Sequence, residues 1–141
     1  MNTPMRNDAR HCFVCGPDNP IGLHIAFRVD GERCHGEFCA RPEHVGFDGV
    51  THGGIVFAVL DDAMANWFFL QGARGYTAKS EIRYRAPLPV GTAIRVECAL
   101  EKRKGRLVQL SARAVERDGD TLYAESTASF MIEDFGELGG A

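Results

Sequence analysis

Hydrophobic and polar positions alternate along most of this chain, and one long apolar stretch interrupts the alternation. Residues 22 to 29 (GLHIAFRV) and 33 to 40 (RCHGEFCA) read as two short strands joined by Asp30-Gly31, a dipeptide suited to a tight hairpin. A loop rich in glycine and histidine follows. From His52 to about Leu70 the chain is almost continuously apolar. About five turns of helix fit this run, which is too long for a strand, and Gly72 and Gly75 supply its stop. Four segments of period-two character come next, at 76 to 86, 92 to 103, 106 to 117 and 121 to 132, separated by turn-forming residues such as Lys104-Gly105 and Asp118-Gly119-Asp120. In the second of them Ile94, Val96, Cys98 and Leu100 alternate with Arg95, Glu97 and Glu101, which predicts an antiparallel meander with one buried and one wet face.

The helix decides the architecture. A helix lying outside a sheet shows a polar stripe, whereas Ile55, Val56, Phe57, Ala58, Val59, Leu60, Ala63, Met64, Trp67, Phe68, Phe69 and Leu70 cover nearly every direction here. The pattern therefore predicts an α+β fold in which a central helix is wrapped by a curved antiparallel sheet of about six strands, two before the helix and four after it. With 141 residues, 45% hydrophobic and 25% charged, the chain fits a single domain. Residues 1–20 read as an N-terminal leader, 21–133 as the folded domain, and the acidic, glycine-rich stretch 134–141 as a tail expected to fray. A net charge of -3 argues against nucleic acid or an anionic membrane surface as partner. The polar stretch Met1 to Arg10 lacks an apolar signal core, and no apolar run reaches the roughly 20 residues that cross a bilayer, so a cytoplasmic location is expected. Five cysteines without a secretory signal read as reduced thiols.

Candidate chemistry lies on the helix. Its polar exceptions are Asp61, Asp62 and Asn66. Asp62 and Asn66, four apart, share a face, while Asp61 points elsewhere, with Phe57, Ala58, Met64 and Ala65 as neighbours one turn away. A carboxylate in such surroundings serves a task or is satisfied by hydrogen bonds from another element, for instance at a subunit interface. His52-Gly53-Gly54 stands at the helix start, where backbone N–H groups lack intrahelical partners and the dipole is positive. Two glycines let a ligand approach those donors, which suits the oxyanion of acyl transfer, although a glycine-rich turn without a ligand has the same sequence. Asp61 lies about 13 Å along the axis from His52 and on roughly the opposite side. If the two act on one carbonyl, the site must combine two subunits, which requires at least a two-fold dimer.

The run THGGIVFAVLDDAMA (51–65) resembles the hotdog thioesterase superfamily, in particular the phenylacetate-pathway type of acyl-CoA thioesterase, with His-Gly-Gly followed by an acid nine residues after the histidine. The leader CFVCGPDNPIGL (12–23) and the strand IRYRAPL (82–88) are similar to stretches in many members of that family. The resemblance implies a hotdog fold, hydrolysis of an acyl-CoA thioester without cofactor or metal, and a homo-oligomer, dimer or dimer of dimers (a homotetramer). It implies Asp61 as general base or nucleophile, Gly53 as oxyanion donor with Gly54 beside it, and His52 as a group positioning the thioester. Some relatives carry an Asn six residues before the His, where this chain has Gly46, and His44 is a candidate substitute.

Other features are open to two readings. Cys12-x-x-Cys15 could be half of a zinc site with His11, His24 or Cys34, but no second pair at recognisable spacing exists, and no metal is expected. No βαβ pattern surrounds the pair, which argues against a thioredoxin-like role. Lys79, Arg83 and Arg85 fall at period two and could bind the phosphates of CoA, or form a solvated face balanced by Glu81. As alternatives to hydrolysis stand a non-catalytic acyl-CoA sensor and a 3-hydroxyacyl thioester dehydratase or hydratase. Asp48-Gly49-Val50-Thr51-His52 does not match the motif spacing of such dehydratases.

Overall fold

A computed structural model describes residues 8–138 of the chain. Strands β1 (Arg28–Asp30) and β2 (Arg33–Cys39) precede the helix α1 (Gly53–Phe69), and β3 (Arg74–Tyr84), β4 (Ala93–Lys104), β5 (Leu107–Glu116) and β6 (Leu122–Asp134) follow it. The six strands form one antiparallel sheet in the order β1-β2-β4-β5-β6-β3. This is the helix wrapped by an antiparallel sheet expected from the apolar run, and the hotdog fold that the resemblance implies. The helix packs on the sheet through Val59, Leu60, Ala63 and Met64, all essentially inaccessible, against side chains such as Val96, Leu110 and Phe130 in the same core. Phe68 meets Phe130 edge-on, with ring centroids 5.4 Å apart, a geometry favoured by the ring quadrupoles.

The four strands after the helix match the alternating segments to within about two residues, as strand ends usually do. The first strand differs more. Only Arg28–Asp30 joins the sheet, because the residues before it pair with the leader: the N–H groups of Leu23 and Ile25 donate to the carbonyls of Phe13 and Val14 at 2.8 and 2.9 Å. Between them His24 adopts a left-handed φ of 54°, which breaks an extended run. The leader is thus built into the fold, with Val14, Leu23 and Ile25 buried in the core. At the other end β6 runs to Asp134, Phe135 packs against the core, and a short 3-10 helix covers Gly136–Leu138. The rest of the expected tail, 139–141, lies outside the described residues.

Two edges bound the sheet. On one side β1 has three residues; on the other β3 has eleven, with Tyr76 and Tyr84 each 54% exposed. A long edge strand bearing exposed aromatic side chains is a template for pairing with another chain. No helix among the described residues is long and apolar enough to cross a membrane.

Leu60 has no accessible surface at the centre of α1. Truncation there leaves a cavity the sheet cannot close, so Leu60→Ala should lower unfolding free energy by about 2–5 kcal/mol in urea denaturation.

Candidate active site

The helix start disposes its orphan donors unequally. His52 is the N-cap, in an extended conformation at φ -57°, ψ 131°, and its Nδ1 accepts the Gly54 N–H at 2.8 Å. The N–H groups of Ile55 and Val56 both turn back to the His52 carbonyl. The Gly53 N–H, first of the helix, has no acceptor among the described residues. Because Nδ1 accepts, a neutral His52 ring carries its proton on Nε2, free to donate outward. Gly54, by contrast, is committed to the cap and not available to a ligand.

Strand β3 runs along the helix and ties both ends of the motif to the sheet edge. Near its C-terminal end the Tyr84 hydroxyl donates to the Gly53 carbonyl at 2.8 Å, and near its N-terminal end the Thr77 hydroxyl donates to Asp61 Oδ1 at 2.9 Å. Period two alone would place Thr77 on the opposite face from Tyr84. The register shift between Thr77↔Phe130 and Lys79↔Ser129 resolves this, because one residue is skipped and Thr77 returns to the helix side with Ser80, Ile82 and Tyr84. Asp61 itself is half-buried, and burial raises its pKa above the ordinary carboxylate value, an effect that the Thr77 hydrogen bond opposes and Cys12 adds to.

A cavity of about 670 Å³ opens beside the helix start, with His52, Gly53, Val56, Tyr84, Leu88 and Tyr123 in its wall. Phe47, 88% exposed, stands at its mouth. Asp61 does not line it, so within one chain the oxyanion-type donor and the acid are separated. Gly46 packs against the helix start: a Cβ there would sit 3.1 Å from the His52 Cα, so a side chain at this position needs the N-cap to shift by a few tenths of an ångström. His44, the candidate substitute, turns inward. It is 5% exposed, closes the 3-10 helix Pro42–His44, accepts the Arg41 N–H on Nδ1 at 2.9 Å and packs on Phe38. It is not part of the cavity wall, and its buried Nε2 has no partner.

The three basic candidates are also sorted. Arg85, beyond the end of β3, lines the cavity while its Nε donates to Glu125 at 2.6 Å. Lys79 and Arg83 are exposed, and Lys79 approaches Glu81 at 4.0 Å. The opposite flank of α1 carries the second acid. Asp62 Oδ2 accepts from Asn66 Nδ2 at 2.9 Å, and Asp62 Oδ1 accepts from the Cys12 thiol at 3.5 Å. Burial, the largest influence, pushes Asp62 up to about 7, while the Cys15 hydrogen bond lowers it and Cys12 and Asp61 add to the rise. Of these contacts, Thr77–Asp61 and Asp62 with the leader cysteines were absent from the sequence reading, since each joins residues distant in the chain.

The chain belongs to the thioesterase superfamily, whose family model matches residues 48–127. It is 32% identical over 134 residues to acyl-coenzyme A thioesterase THEM4 of Xenopus laevis, covering 91% of this chain and 59% of that protein. Among solved structures it is similar to RHA08564, a thioesterase superfamily protein, with TM-score 0.79, 21% identity and coverage of 86% of this chain and 63% of the other. It is also similar to the phenylacetic acid degradation-related protein of Ralstonia eutropha JMP134, with TM-score 0.69, 25% identity and coverage of 77% and 85%. The chain spans about a third to three-fifths of the length of the curated relatives it matches.

His44 provides a test of the loop that carries the motif. Burial, with Arg41 nearby, lowers its pKa, and Glu43 opposes this. A histidine kept neutral in the fold stabilises it above the unfolded pKa of about 6.5, and that stability is lost as pH falls from there toward the folded pKa, since only the unfolded chain takes the proton. Stability measured by urea denaturation should therefore drop below about pH 6.5, and His44→Gln should flatten this drop relative to the parent protein.

Proposed function

We propose that this chain hydrolyses acyl-CoA thioesters in a site shared by two copies of itself. The observation that carries the reading is the single uncommitted donor at the start of α1, the Gly53 N–H, on the wall of a cavity large enough for an acyl-pantetheine group. That donor meets the oxygen of the thioester carbonyl as it becomes an oxyanion. His52 Nε2 donates from the same side and orients the carbonyl. Asp61 accepts a proton from water as the water oxygen bonds to the carbonyl carbon; collapse of the tetrahedral intermediate then breaks the C–S bond, and the proton returns to the departing CoA sulfur. Direct attack by Asp61, giving an anhydride that water opens, uses the same groups. Acyl-CoA as the substrate class is supported by the name of the Xenopus laevis relative.

The acid comes from the partner copy. If two β3 strands pair antiparallel about a two-fold axis at Glu81, Ser80 of one faces Ile82 of the other, and because β3 skips a residue before Lys79, Thr77 of one faces Tyr84 of the other. Since Thr77 holds Asp61 and Tyr84 touches Gly53, that register brings one chain's acid toward the other's donor. It also covers the long exposed edge. Arg85, on the cavity rim, is placed to meet a CoA phosphate once it leaves Glu125, and Lys79 and Arg83 extend the same basic edge.

Asp61→Ala should lower kcat by about 10²–10⁴-fold with the oligomer intact. Gly53→Pro removes the donor at the first helical position, where proline is tolerated, and the Cβ it adds lies at an ordinary 3.5 Å from the Tyr84 ring. It should cost about 10²–10³-fold in kcat. After subunit exchange between these two inactive variants, heterodimers carry one intact site, and about a quarter of parental activity should return. A mixture that stays inactive although exchange is demonstrated rules out the shared site. Thr77→Val should lower kcat by about 10-fold through loss of a hydrogen bond to a charged group, with KM unchanged and Thr77→Ser restoring the rate.

A further inference from the structure

On the flank of α1 that meets the leader, the side chains of Cys12, Cys15 and Asp62 converge, with their ligand atoms all within 4.8 Å of one another. The two cysteines come from the leader and the acid from the helix, fifty residues away in the chain. Their approach is built. A Cβ on Gly16, directly after the second cysteine, would lie 2.3 Å from the Cys12 nitrogen and 2.5 Å from the Arg10 carbonyl oxygen, so the loop closes this tightly around the sulfurs only with glycine there. The Gly16 N–H donates to the Cys12 carbonyl at 2.9 Å, and the Cys15 N–H points at the Cys12 sulfur at 3.4 Å. Asn66, 4% exposed, donates from Nδ2 to the Asp62 carbonyl at 2.8 Å, to Asp62 Oδ2 at 2.9 Å and toward the Cys15 sulfur at 3.7 Å.

We propose that Cys12, Cys15 and Asp62 form a binding site for a borderline-soft divalent cation, zinc in the first instance. Two thiols and a carboxylate suit zinc and disfavour magnesium or calcium, which take oxygen ligands. Three protein ligands leave the fourth tetrahedral position open. That position faces a cavity of about 210 Å³, whose wall includes all three ligands, so water or a small donor ligand completes the coordination. Asn66 and the Cys15 N–H act as outer groups that aim the carboxylate and the Cys12 sulfur. Binding displaces the thiol protons to solvent and leaves the cation held by two thiolates and one carboxylate. The alternative for such a group of acidic side chains is a cationic side chain, and none is bonded to the three among the described residues; Arg74 lines the same cavity but pairs with Asp8 at 2.9 Å. Neither His11, His24 nor Cys34 is in the cluster; His24 is turned to the Asn19 carbonyl.

The test uses the full chain, reduced and freed of metal. Zinc should bind at about one equivalent per chain, and cobalt in its place should give thiolate-to-cobalt charge-transfer absorption. Alkylation mapped by mass spectrometry should show Cys12 and Cys15 protected by zinc, with exposed Cys39 modified equally with and without it. This comparison needs no variant and holds even where a variant fails to fold. Cys12→Ser and Cys15→Ser should abolish the cobalt band, and Asp62→Asn should weaken zinc binding by about 10-fold or more. Absence of stoichiometric zinc, alkylation of Cys12 and Cys15 that zinc does not change, or full affinity in Asp62→Asn would overturn the assignment.

Discussion

The structure depends on enclosing a helix that is apolar in almost every direction. No single sheet face can cover such a helix, so the chain covers it piecewise: the curved sheet takes Val59, Leu60, Ala63 and Met64, and Val14 of the leader joins the same core together with Leu23 and Ile25, which pair with it. What remains is a flank of half-buried positions, Phe57, Ala58, Asp61 and Ala65, beside the exposed Gly54. Burial of the apolar majority stabilises the fold. The residues of the His52-Gly53-Gly54 to Asp61 motif lie along this incomplete flank.

Strand β3 links this flank to the sheet edge. Its eleven residues pair with β6 on one side only, and its hydroxyls touch the helix at both ends of the motif, at Gly53 and at Asp61. One element thus sets the spacing between donor and acid within a chain. The same element, if paired with its symmetry mate, sets the spacing between chains. A carboxylate can be kept half-buried on an apolar helix here because the Thr77 hydroxyl satisfies one of its oxygens.

Much of this was legible in the sequence. The helix followed from the length of the apolar run and the four strands after it from their period, and the absence of a polar stripe was enough to require a wrapped helix. The positions of His52, Gly53 and Asp61 on that helix, and their separation, followed from its geometry. Contacts that depend on irregular backbone were not legible. Thr77 reaches Asp61 only because β3 skips a residue before Lys79, and a strict alternation assigns it to the wrong face. The first strand was overestimated because Leu23 and Ile25 give their N–H groups to the leader, a pairing that hydrophobic pattern cannot distinguish from membership of the sheet. His44 has the composition of a functional loop histidine, yet its ring serves the Arg41 N–H and the packing of Phe38.

Asp61 and Asp62 show how one turn of helix can serve two sites. Adjacent residues on a helix diverge by about 100°, so two neighbouring carboxylates cannot share one environment. Asp61 faces the Thr77 hydroxyl on β3, whereas Asp62 faces Asn66 and the leader cysteines. Each is hydrogen-bonded by partners from a different part of the chain, although the charge of Cys12 is felt at Asp61 as well. The adjacency still has an energetic effect, since Asp61 is among the influences that raise the cost of charging Asp62 in its partly desolvated setting. A cation bound at the Asp62 cluster would offset that repulsion. The leader and the flank that carries Asp61, which look independent in sequence, are therefore coupled electrostatically through two consecutive residues of the central helix.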